Sequence, residues 1–99
     1  MNIGYAVKLL RTKRKMSQQT LAKKLNVTQG FLSLVEKNDR EPTSRMLEEI
    51  SKKLAVPKEL LLLLACDTSK KDKVFSKQLK KIANALDDML MMLDKNAKA

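Results

Sequence analysis

Apolar residues fall at helical intervals along nearly the whole chain, and their spacing predicts an all-α protein. Ile3, Val7 and Leu10 recur at four and three, which puts them on one face of a helix over about 2–14. That helix ends in the basic run RTKRK, which suits the negative end of a helix dipole. Ser17 is a candidate N-cap for a second helix whose inward face is Leu21, Ala22 and Leu25. Asn26 tolerates the left-handed backbone that closes a helix, and Val27 is an apolar plug in the turn. Thr28 caps a third helix with Leu32 and Val35 inward. Asn38 ends it, Pro42 delays the next, and Thr43 or Ser44 caps a fourth with Met46, Leu47, Ile50 and Leu54 inward. Pro57 is a good first-turn residue for a fifth, in which Leu60 and Leu61 belong to the core. Leu62, Leu63 and Leu64 are surplus to one helix face, so some of them must meet a second surface.

The polar stretch CDTSKKDK then reads as a linker, and periodicity resumes at Val74. Phe75, Leu79, Ile82, Leu86, Met89 and Leu93 are spaced four, three, four, three, four, the seam of a short heptad array. Lys77, Lys80, Lys81, Asp87 and Asp88 are expected outward. Ala83, Ala85, Leu90 and Met92 widen the apolar face beyond one stripe. The expected organisation is a helical domain over 1–66, a linker over 67–73 and a C-terminal amphipathic dimerisation helix over 74–94.

The densest pattern is SQQTLAKKLNVTQGFLSLVEK, from Ser17 to Lys37. Two helices joined by about three residues cross at close range, and Ala22 is the small residue such a crossing needs. Any helical hairpin is the plain alternative. The flanking pieces speak for more: Leu10-Arg11, Ser17-Gln18, Leu21-Ala22, Leu25-Asn26-Val27, Leu32-Ser33, Val35-Glu36, Pro42 and Leu54-Ala55-Val56. Together, over about Ile3 to Leu61, they resemble the phage repressor and Cro family of helix-turn-helix proteins, the XRE type. Lys15, Asn26 and Asn38 stand where that family often has Gly, Pro57 replaces a common capping Ser, and Thr20 replaces an acidic residue that would complete a capping box.

The resemblance implies a five-helix repressor-like domain that places its third helix in the major groove of double-stranded DNA. It also implies an ion pair between Arg11 and Glu36, and it puts the loop residues Lys37, Asn38, Arg40 and Arg45 along the phosphate backbone. Outward positions on the third helix supply the candidate base contacts. Gln29 is the best reader, because its amide both donates to and accepts from an adenine edge. Ser33 bonds to several bases, and Phe31 either touches a thymine methyl or sugar or folds back on the core. Thr28 and Gln18 are candidate phosphate contacts.

Composition narrows the partners. The 99 residues carry 21 basic and 11 acidic side chains, a net charge of +10, which favours a polyanion: nucleic acid first, a membrane surface second. Lysine as a solubiliser is the bland reading. The apolar run Leu60–Ala65 is far short of the roughly 20 residues that span a bilayer, no secretory signal is visible, and a cytoplasmic location with no membrane partner is expected. There is no His, and the single Cys66 makes neither an internal disulfide nor a metal cluster, so it is a packed side chain or a regulatory thiol. No phosphate loop or nucleophile elbow appears, and adjacent carboxylates such as Glu48-Glu49 do not face one another on a helix. The expectation is a binding protein, not an enzyme, with no cofactor. Its expected class is a homodimeric transcriptional regulator, a repressor in the sense the family implies, joined through Leu63, Leu64, Phe75, Leu79, Ile82, Leu86, Met89 and Leu93. An antitoxin-like protein, whose C-terminal helix takes a second protein partner, stays open as the alternative.

Overall fold

A computed structural model describes residues 2–66 and 73–98, and the side-chain surroundings of 2–66 and 77–93. Among these residues there are helices and no strand: α1 (Ile3–Lys13), α2 (Gln18–Leu25), α3 (Gln29–Glu36), α4 (Ser44–Lys53), α5 (Lys58–Ala65) and α6 (Lys73–Lys98). The expected linker lies outside the described residues except for Lys73, which opens α6. The side chain of Phe75 lies outside them too.

Each of the first helices starts on a side-chain cap. The Oδ1 of Asn2 accepts from the Tyr5 amide, Ser17 Oγ from Thr20, Thr28 Oγ1 from Phe31 and Thr43 Oγ1 from Met46. These bonds satisfy donors that a helix start leaves orphaned. The helix ends share one geometry. Lys15, Asn26, Asn38 and Ala55 all have left-handed φ values, from 57° to 63°. In each case the next amide reaches back five residues: Met16 to Arg11, Val27 to Ala22, Asp39 to Leu34 and Val56 to Ser51. This is the Schellman closure, here made without a single glycine.

The core joins α1, α2, α3, α4 and α5 around Leu10, Leu21, Leu32, Ile50, Leu54 and Leu61, all fully or almost fully buried. Gly4 is the closest approach of α1 to the end of α3. A Cβ there would sit 2.6 Å from the Val35 carbonyl oxygen, so a side chain cannot be added without moving backbone. Ala22 is buried at the α2–α3 crossing, as the pattern requires. Of the surplus leucines, Leu64 is fully buried inside the chain's own core, while Leu62 and Leu63 are half-buried against it. Leu64, expected at a subunit contact, therefore has no surface to offer a partner.

The C-terminal helix departs most from expectation. It packs on its own domain, and it does so largely beside the heptad seam, of which only Leu79 is half-buried among the described side chains. Its inward residues are Ala83 and Asp87, both fully buried, with Leu79, Lys80, Asn84 and Leu90 half-buried around them. Asp87, expected outward, is the centre of the contact. The Arg14 guanidinium donates to both its oxygens (Nη1–Oδ2 3.1 Å, Nη2–Oδ1 2.5 Å), and Lys13 Nζ lies 3.1 Å from Oδ2 and 2.7 Å from Asp88 Oδ1. Lys80, also expected outward, leans over the Tyr5 ring at 5.0 Å. The small Ala83 lets the helix approach closely, and the ion cluster fixes its rotation. The seam residues Ile82, Leu86, Met89 and Leu93, with Met92, are left 45–66% exposed.

Candidate nucleic-acid interface

The candidate interface is built on α2, its turn and α3. The left-handed Asn26 reverses the chain, and the Val27 amide bonds to Ala22, so α3 starts within two residues at Thr28. Leu32 and Val35 pin one face of α3 to the core. The opposite face is open. Gln29 and Gly30 are exposed, with no atom within 4 Å of where a Gly30 Cβ would stand. Ser33 is half-buried, and Leu34 is an exposed apolar side chain beside it. Phe31 is half-buried, with the Arg40 guanidinium 5.5 Å from its ring centroid, a cation–π distance.

A buried network holds this helix from behind. Arg11 and Glu36 form a bidentate pair, Nε–Oε2 2.7 Å and Nη2–Oε1 3.0 Å, as the resemblance implied. Arg11 also donates to the Met16 carbonyl at 2.7 Å, and Gln18 Nε2 donates to Glu36 Oε1 at 3.0 Å. One cluster thus ties α1, the α1–α2 turn, the start of α2 and the end of α3. The fork geometry of arginine makes such a pair directional as well as strong.

The candidate phosphate contacts divide into two groups. Lys37, Arg40 and Arg45 are exposed. Thr28 and Gln18 already serve the fold, through the α3 cap and the Glu36 bond, although each keeps hydrogen-bonding capacity. The Asn38 side chain is engaged: its Oδ1 accepts from the Gly4 amide at 3.0 Å, and its Nδ2 donates to Asn2 Oδ1 at 2.6 Å. Lys13, in the basic run that ends α1, is held by Asp87 and Asp88. Sequence reasoning missed the Arg40–Phe31 stack, which joins residues from different elements, and the engagement of Asn38. A signal for the second existed, since Asn2 and Gly4 sit at the start of α1 and an asparagine that closes a helix has a free amide to reach them.

Two short helices crossing at an alanine, with an open polar face on the second and basic residues around it, define a DNA-binding helix-turn-helix domain. The model of a helix-turn-helix family (HTH_3) matches residues 7–61, more than half of the chain. The chain belongs to that family, the DNA-binding regulators of the phage repressor and Cro type. No curated protein matches it. No helix among the described residues is long and apolar enough to cross a membrane.

Proposed function

We propose that the chain is a homodimeric repressor that reads a two-fold symmetric operator with α3. The observation that carries the reading is the open N-terminal half of α3, with Gln29 exposed at its first position and the helix clamped behind by Arg11, Glu36 and Gln18. Helix-turn-helix proteins insert this half of the recognition helix into the major groove. Gln29 pairs with an adenine edge, Ser33 adds a less selective bond, and Phe31 and Leu34 offer apolar contact to thymine methyl groups. Lys37, Arg40 and Arg45, with Gln18 and Thr28, follow the phosphates; the Asn38 contribution is through its backbone, since its side chain is occupied. The exposed seam of α6 joins two copies and sets their recognition helices about 34 Å apart, one turn of DNA.

The test is a selection of bound duplexes from a random library, followed by titration of the winner. Gln29→Ala should cost about 1–3 kcal/mol on that site and relax one base position. With about six phosphates neutralised per dimer, log affinity should fall against log salt with a slope of about −5. Equal loss on random DNA would remove Gln29 as a reader, and a flat salt response would remove the nucleic-acid reading.

A further inference from the structure

The open side of α3 carries two stripes. Gln29 and Ser33, four residues apart, make a polar one. Phe31 and Leu34, three residues apart, make an apolar one beside it. Leu34 is 40% exposed, and the space over Gly30 is clear. In a major groove the apolar group on the base edges is the C5-methyl of thymine, so that is what an apolar stripe there meets. Phe31 differs from Leu34 in having a holder from another element. Arg40, in the loop between α3 and α4, lays its guanidinium over the ring, 5.5 Å from the centroid. An aromatic side chain on a helix chooses between two χ1 wells. A cation–π contact at an exposed site biases such a choice about two- to fivefold.

We propose that Arg40 is a positioning residue for base readout: it holds the Phe31 ring against the C5-methyl of one operator thymine. This role presupposes that α3 enters the major groove, as proposed above, and names the group that fixes one of its base contacts. The stack occupies the face of the guanidinium. Its N–H donors project from the edge of that plane and stay available to a phosphate oxygen. Phosphate contacts ordinarily set position and carry no sequence information, whereas base contacts specify. Arg40 joins the two, because the side chain that seats the loop on the backbone also sets where the ring lies. Lysine would keep the charge without the stack, since an ammonium has no plane to lay on the ring.

Methyl deletion in the DNA tests this without touching the protein. On the duplex selected by the full chain, deoxyuridine replaces each thymine in turn, which removes the methyl and keeps the base pair. One position should lose about fourfold in affinity, the worth of a buried methyl-sized group. Phe31→Ala should bind thymine and uracil equally there. Arg40→Lys should keep the salt slope and cut the thymine preference at that position below about twofold. Arg40→Gln should cut it too and lower the slope by about one per subunit. Arg40 is exposed in a loop, so its variants leave the core intact and decide the matter even if Phe31→Ala folds poorly. A full fourfold preference in Arg40→Lys would overturn the proposal and leave Arg40 a phosphate contact alone. A preference that survives in folded Phe31→Ala would assign the methyl to another side chain and overturn it as well, as would an operator with no methyl-sensitive thymine. In all three cases the operator reading stands. A chain that prefers no duplex over random DNA would overturn both.

Discussion

The cluster that anchors α6 makes a quantitative prediction. Asp87→Asn keeps the side chain's size and removes its charge. The native carboxylate is fully buried and takes two bonds from Arg14 and one from Lys13. Hydrogen bonds to charged groups are worth about 1.5–3 kcal/mol each. That sum is an upper limit, because Lys13 keeps Asp88 and both cations retain some contact with water, their side chains being 10% and 21% exposed. The asparagine oxygen can still accept one bond, but its amide hydrogens then point at the guanidinium. The docking of α6 should weaken by about 2–4 kcal/mol, on the scale of a broken buried ion pair reduced for that residual hydration. Hydrogen exchange resolves the effect by element: amides of α6 should lose protection while those of α1 and α3 keep theirs. A loss under about 0.5 kcal/mol, or one spread evenly over all helices, would refute the account. The same cluster fixes a pH window. Burial pushes the Asp87 carboxyl up, but the hydrogen bonds and charges of Arg14 and Lys13 outweigh it, and the net value lies below the ordinary carboxylate range. The contribution is therefore complete above about pH 4 and is lost only as pH falls through the lower, folded value. Burial pulls Lys13 down, the bonds to Asp88 and Asp87 outweigh it, and its net value is raised. That contribution is present below about pH 10 and disappears as pH rises through the folded value. Docking of α6 should be flat between these limits, and Asp87→Asn should remove the acid limb.

Two further substitutions test the helical frame, one behind α3 and one at the end of α4. Glu36→Ala leaves Arg11 and the Gln18 amide without their partner in a site where the two charged side chains are 9% and 3% exposed, so it should destabilise by about 3 kcal/mol in urea unfolding, and a loss under 1 kcal/mol would show that the pair is not a tight buried one. Ala55→Gly should stabilise: Ala55 is exposed at φ 57°, where a Cβ costs about 1–2 kcal/mol, and the extra freedom of glycine in the unfolded chain returns about 0.5–1 kcal/mol of that, so a lowered melting temperature would refute the strain assigned to this turn.

How much of this was legible in the sequence depends on the range of the force involved. The first helices were readable because their signals are local: a hydroxyl or amide one residue before an apolar period, and a small residue where two helices must cross. Ser17, Thr28, Thr43 and Ala22 all do what their chemistry suggests. Asn26 and Asn38 announced left-handed turns for the same reason. Ala55 announced nothing, since nothing in alanine favours that backbone; the apolar Val56 after it, whose amide closes the Schellman bond, was the available sign. On the interface side, the outward face of α3 follows from its two buried residues, whereas the partners of Asn38 and Arg40 come from packing between elements.

The C-terminal helix shows where periodicity stops being sufficient. A heptad count scores each apolar residue alike and scores an aspartate as solvent-facing. It therefore ranks the stripe with Ile82, Leu86, Met89 and Leu93 first, and the stripe with Ala83 and Asp87 second. A helix that touches its own domain along one line must satisfy the charges already waiting there. Arg14 and Lys13 end α1 with two cations beside an apolar surface, and a carboxylate 73 residues away answers them. The inward stripe is then chosen by a small residue and an acid, which together fit closer and bind more directionally than a row of leucines. The apolar face is wider than its own domain covers, and the stripe that scores highest is the one that domain leaves exposed.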